Sequence, residues 1–149
     1  MTRQFPLRLV VAALVLLAPA FAMAQDKSLS VARFFGKGAL EGEVRRVYLS
    51  GDNLDGRDIS LFRSIMTTDS EADVAAMAKA AEADARAAND VKRIVKGSDI
   101  VALYFRLPPL AKSTESRFIL FRRTATDAAM LIYIEGDTTL DDLVKVNGK

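Results

Sequence analysis

The sequence has no cysteine and no histidine. Without cysteine there is no disulfide to hold the fold, so stability must come from packing alone, unlike many small exported proteins. A bacterial lipoprotein anchor, which needs a cysteine after an apolar leader, is excluded as well. Without histidine, neither a Ser-His-Asp nor a Cys-His centre can be built. Zinc loses its usual ligands too. The reading is therefore that no cofactor, no metal and no catalytic residue is to be expected. An enzyme would have to work with carboxylates or a Ser-Lys pair. Long apolar runs are also missing after residue 24, so no membrane span is expected beyond that point.

What is present begins with a leader. Arg3 and Arg8 are the only charges in residues 1–24. An apolar run from Leu9 to Leu17 follows, then Pro19, then the small-x-small end Ala22-Met23-Ala24. Positive start, short apolar middle and A-x-A end form a cleavable secretory signal. The run is short of the roughly 20 residues that a membrane span needs, and Pro19 breaks a helix before the end. The alternative is an uncleaved N-terminal anchor. Cleavage between Ala24 and Gln25 leaves residues 25–149 as a single α+β domain of ordinary size.

Removing the leader changes the charge. The whole chain carries 21 basic and 19 acidic residues, but both leader charges are basic, so residues 25–149 carry 19 of each. A neutral chain has no basic stripe for nucleic acid.

The pattern along the rest predicts a short helix over 29–35, capped by Ser28 or a neighbour and stopped by Gly36. A strand is expected over Glu43–Leu49, a turn-rich link over 50–57, and an antiparallel strand over Ile59–Met66. Ser70 followed by Asp73 resembles a capping box, and the alanine-rich stretch predicts one long helix over 70–91. Strands are expected over Ile100–Leu107, Arg117–Arg123 and Ala129–Glu135, and a terminal helix over Thr138–Val146, capped by Thr138 or Thr139. Short links favour antiparallel pairing. The expected fold is α+β: an about five-stranded, mainly antiparallel sheet, covered on one face by the long helix plus short N- and C-terminal helices.

Several segments together resemble a family of small exported proteins of unknown function found mainly in Bacteroidetes. They are Leu29–Phe35, Ser50-Gly51, Leu61-Phe62-Arg63-Ser64, the helix near 72–90, Tyr104-Phe105-Arg106-Leu107-Pro108, Phe118–Phe121 and Leu131-Ile-Tyr-Ile-Glu-Gly136. The resemblance implies an exported location and the fold, and it carries over no activity and no catalytic residue. The alanine-rich helix departs from the family's more mixed residues.

Each candidate site also has an ordinary structural role. The loop Gly51-Asp-Asn-Leu-Asp-Gly-Arg-Asp58 suggests calcium, but aligning Gly56 with the EF-hand glycine puts Gly51 and Phe62 where acids are required, so that reading fails. The carboxylate pairs Glu135/Asp137 and Asp141/Asp142 fit a glycine turn and a helix start as well as acid–base work. Ser64 has no lysine-dyad signature around it. Arg45-Arg46 and Arg122-Arg123 read as solvated edge charges before they read as anion sites. The preferred candidate is an interaction face on the sheet side away from the long helix, formed by Arg46, Tyr48, Tyr104, Arg106, Tyr133 and Glu135. Tyrosine and arginine favour recognition surfaces.

These readings converge on an exported cell-envelope protein, a non-enzymatic binding module whose partner is a protein, peptide or glycan. The alternative is a carboxylate-dependent periplasmic hydrolase. The leader is directly testable: protein recovered from its own cells should begin at Gln25 by N-terminal sequencing and intact mass. A membrane-bound chain that retains residues 1–24 would establish the anchor instead.

Overall fold

Residues of alternating polarity build the sheet. In the computed structural model, which describes residues 28–52, 54 and 58–147, six strands form: Glu43–Ser50 (β1), Ile59–Thr68 (β2), Asn89–Lys96 (β3), Asp99–Leu107 (β4), Ser116–Ala125 (β5) and Ala128–Gly136 (β6). A 3₁₀ helix spans Ser30–Phe35, and α-helices span Glu71–Ala85 (α1) and Leu140–Asn147 (α2). The leader, with Ala24 and Gln25, and the loop residues Asn53, Asp55, Gly56 and Arg57 lie outside the described residues.

Every strand pairing is antiparallel, in the order β1-β2-β6-β5-β4-β3. The last strand of the chain therefore lies between β2 and β5, joining the two runs of strands. It is buried on both sides: Leu131 and Tyr133 face one layer, Ile132 and Ile134 the other.

The sheet has one strand more than expected, and the long helix is correspondingly shorter. α1 ends at Ala85, and residues 89–96, expected as helix end and loop, form β3. Alanine continues to Ala88 and favours helix, but Val91, Ile94 and Val95 gain more from the pleated edge. A two-residue hairpin, Gly97-Ser98, then returns the chain, with Lys96 opposite Asp99 and Gly97 at φ +64°, a conformation that glycine adopts without cost.

The helices do not share one face. α1 and the 3₁₀ helix cover one side, packing Val74, Met77, Ala81, Val31 and Phe34 on Ile65, Leu103, Phe105, Ile119, Phe121 and Leu131. The expectation that the C-terminal helix joins them is overturned. Leu140 and Leu143 of α2 pack with Ala102, Tyr104, Phe118, Leu120, Ile132 and Ile134 on the other side. The doubly apolar strands β5 and β6 require cover on both faces. Thr139 caps α2 by accepting from the Asp142 N–H at 3.2 Å.

Two buried aspartates of α1 hold the N-terminal segment. Ser70 caps the helix, accepting from the Asp73 N–H at 3.1 Å. The Asp73 carboxylate accepts from the backbone N–H of Glu41 (3.0 Å) and Gly42 (2.8 Å) and from the Thr67 hydroxyl (2.8 Å). Three helical turns on, Asp84 accepts from the N–H of Ser30 (2.7 Å) and Val31 (3.0 Å). The first helix is thus capped from across the chain by Asp84, and no side chain beside it serves as its cap. Its start has too few local acceptors, and α1 supplies one. A Cβ on Gly42 would stand 2.2 Å from the Thr68 carbonyl oxygen, so the segment can approach only as glycine.

Burial raises the Asp73 carboxyl pKa, but the hydrogen bonds from Glu41, Gly42, Thr67 and Ser70 outweigh it and hold the group below the usual carboxylate range. A depressed carboxylate stabilises the fold above its unfolded value, near 3.9, and that stability is lost as pH falls through the folded value. Asp73→Ala should cost about 3 kcal/mol or more, since it strands buried donors. Asp73→Asn should cost less and should flatten the loss of stability below about pH 4. Urea melts at pH 7 and pH 3 check both, and an unchanged acid profile in Asp73→Asn would refute the assignment.

Candidate functional site

Strand register decides which side chains share a face. Arg46 lies opposite Ile65, which lies opposite Leu131; Tyr48 lies opposite Arg63, which lies opposite Tyr133. Glu135 lies opposite Leu61 and Arg117. These four candidates, Arg46, Tyr48, Tyr133 and Glu135, therefore point to the α1 side. Tyr104, opposite Lys92 and Leu120, and Arg106, opposite Asn89 and Phe118, point to the α2 side. The six expected residues do not form one surface. On β6 both parities are apolar, so sequence alone gives no sign of which one meets α1.

The individual roles follow from that placement. Tyr133 is 1% exposed and is a core residue; its hydroxyl donates to Glu135 Oε1 at 2.7 Å. Tyr48 is 57% exposed, with the Arg63 guanidinium 5.6 Å from its ring centre and 4.8 Å from that of Phe35. Arg46 donates to the Gly36 carbonyl at 2.8 Å. Arg106 Nε lies 3.1 Å from Asp90 Oδ2.

The acidic pairs separate in the same way. Glu135 is engaged by Tyr133, while Asp137 is exposed beyond Gly136. Asp141 pairs with Lys92, and that hydrogen bond and the ammonium charge hold its carboxyl below the usual range. Asp142 turns the other way and, with Asp58, Asp137, Thr138, Thr139, Leu143 and Lys145, lines an open depression of about 530 Å³. Asp58, Asp137 and Asp142 are all exposed. Among the described residues no group of three or more carboxylates is placed to hold a metal ion.

A different surface stands out on the α2 side. Tyr104, Leu120, Met130 and Ile132 form the floor of a depression of about 300 Å³, with Arg122, Arg123 and Thr124 around it. Arg122, opposite Ala102 and Met130, has the parity of this face, whereas Arg123, opposite Ala129, has that of the α1 side and donates to the carbonyls of Ala125 (3.2 Å) and Thr126 (2.9 Å). By register, Val47, Leu49 and Ile94 lie on this same face at its two edges, and they are 46%, 50% and 55% exposed. Polar residues interrupt the face, with Ser64 between Val47 and Ile132 and Arg122 between Met130 and Ala102, and α2, only eight residues long, covers part of it. Of the six expected residues only Tyr104 belongs to the floor. Leu120, Met130 and Ile132 alternate in their strands like core residues, and nothing in their spacing separates them from core.

One further residue escaped sequence reasoning. Arg117 is buried on the α1 side opposite Glu135; its Nε donates to the Pro108 carbonyl at 2.9 Å, and its buried Nη1 has no hydrogen-bond partner. Such a nitrogen costs on the order of 1–3 kcal/mol.

The architecture is that of an α+β protein with one antiparallel sheet between unequal helical layers. Within that class, the chain belongs to a family of unknown function, DUF6108, whose model matches residues 17–147. No curated protein and no solved structure matches it. Among the described residues no helix is long and apolar enough to cross a membrane.

The two tyrosines should therefore behave differently from two members of a shared face. Tyr133→Phe, which removes the hydroxyl and its bond to Glu135, should cost about 1 kcal/mol. Tyr48→Ala, at an exposed position, should stay within about 0.5 kcal/mol. Thermal melts of the two variants test this, and equal effects would contradict the placement.

Proposed function

We propose that this chain is an exported, non-enzymatic binding module of the bacterial cell envelope, and that it binds an apolar protein or peptide segment on the α2 side of its sheet. The observation that carries this reading is the asymmetry of the two layers. α1 and the 3₁₀ helix cover one face. The other keeps a depression of about 300 Å³ over Tyr104, Leu120, Met130 and Ile132, of which Met130 is the half-buried one. Arg122 at the rim suits a carboxylate or carbonyl of a bound segment. The secretory pattern of residues 1–24 supports the location.

A carboxylate-dependent hydrolase would need a buried and a solvated carboxylate facing each other. Asp58, Asp137 and Asp142 share one solvated environment, which favours the binding role.

The test is recovery of the tagged protein from the periplasmic fraction of its own cells after cross-linking, with bound proteins identified by mass spectrometry. Met130→Glu places a charge on the floor and should lower partner recovery about tenfold, equivalent to ~1.4 kcal/mol. Ala75→Glu, on the exposed side of α1, should leave recovery unchanged. Equal recovery by both variants, or a chain confined to the cytosolic fraction, would refute the proposal.

A further inference from the structure

The two edges of the sheet are built differently. β3 carries the usual protections of an edge. Its ladder to β4 is bulged between Asn89 and Lys92 and again between Ile94 and Val95, and Asp90 takes φ +54°. Lys92, Arg93 and Lys96 crowd it with positive charge. Lys92 is tied to Asp141 and Arg93 to Glu82 at 3.5 Å. β1 carries the two cations Arg45 and Arg46 but has no bulge and no positive-φ residue. Both edges expose apolar side chains, Val91, Ile94 and Val95 on β3 and Val47, Tyr48 and Leu49 on β1, but only β1 pairs with its neighbour without a break, from Glu43↔Thr68 to Ser50↔Leu61. Among the described residues no strand lies beyond it.

From this contrast we infer that β1 is a homodimer edge, pairing antiparallel with β1 of a second copy about a two-fold axis at Val47. An axis normal to the sheet keeps matching faces together only if one residue meets itself across the junction, because side chains alternate between faces. Arg45 or Arg46 on the axis would set like charges directly opposite, which destabilises a pair. Tyr48 on the axis pairs only residues 46–50. Val47 on the axis pairs residues 44–50: Val47 with Val47, Arg46 with Tyr48, Arg45 with Leu49, and Val44 with Ser50.

Each of those pairs is compatible. Arg46 and Tyr48 face each other on the α1 side, twice by symmetry, so that the Arg46 stem lies along the ring. The Arg45 stem lies along Leu49 on the α2 side, also twice. The two Arg46 residues are diagonal, about 7–8 Å apart, and each is already turned onto Gly36 of its own chain. The junction buries the exposed apolar side chains of the edge and satisfies its outer N–H and C=O groups. It also continues the open α2-side face from one copy into the next. The dimer does not rest on the binding role proposed above.

The absence of cysteine gives a clean test. Facing Cα atoms in an antiparallel pair lie about 4.5–5.5 Å apart, within disulfide reach. Val47→Cys should cross-link to a dimer under mild oxidation about tenfold faster than Ile94→Cys on the protected edge, the ratio that ~1.4 kcal/mol of preference gives. Sedimentation of the unmodified protein should show a concentration-dependent dimer that Val47→Lys abolishes, while circular dichroism shows the fold retained at this half-exposed position. A chain that stays monomeric to on the order of 100 µM, a dimer indifferent to Val47→Lys, or equal cross-linking at Val47→Cys and Ile94→Cys would each overturn the inference.

Discussion

The carboxylate of Asp73 joins three parts of the chain that are distant in structure. It sits in the first turn of α1, accepts from the loop at Glu41 and Gly42, and accepts from Thr67 at the end of β2. The helix cannot move on the sheet without breaking these bonds, and the loop cannot leave without exposing its N–H groups. Asp84 repeats the device at the far end of the helix, holding the 3₁₀ turn and so seating Phe34 and Val31 in the core. In a chain without disulfides, two buried carboxylates on one helix do the fastening. The helix face between them is largely alanine, which lets the backbone come close enough for both sets of bonds.

That close fit has a consequence on the other side of the sheet. Once α1 and the 3₁₀ turn occupy one face, the apolar residues of the opposite parity have only the short α2 to cover them. Leu140 and Leu143 close the buried cluster with Tyr104, Leu120, Ile132 and Ile134, and a shallow depression remains beside them at the half-buried Met130. The unequal layers thus follow from helix length: fifteen residues in α1 and eight in α2. The same inequality distinguishes the edges, since β3 is tied to both helices through Glu82 and Asp141 while β1 touches the body mainly through β2 and the Arg46–Gly36 bond.

Much of the fold is legible in the residues. Ser70 with Asp73 marks the start of α1, the β-branched and aromatic runs mark five strands, and Gly136-Asp137 marks the turn before the last helix. β3 is missed because its neighbours pull the other way: alanine to position 88 extends the helical pattern, with no glycine or proline to stop it. Its signals are the Val91, Ile94 and Val95 content and the Gly97-Ser98 turn. The candidate face is read less well. Tyr104 and Tyr133 each have a polar tip and a suitable parity, but their relation depends on β5 lying between β4 and β6, and pairing order is a long-range property. Met130 carries no mark of its partial exposure, and Leu120 beneath the same depression is buried as its pattern implies.

Composition and local pattern alone determined what chemistry the chain lacks, that it needs no redox environment to fold, and that its strands pair antiparallel through short links. Those are properties of residue type and nearest neighbours, and they hold in any fold the chain could adopt. Tertiary structure alone decided that β6 lies at the centre, that Tyr133 is core and Tyr48 surface, and that α2 crosses to the face α1 leaves free. It also decided that Asp73 and Asp84 act as anchors. Each depends on which distant segment becomes a neighbour, and that is settled by burying apolar area on both faces of the sheet at once while every buried carboxylate finds its donors.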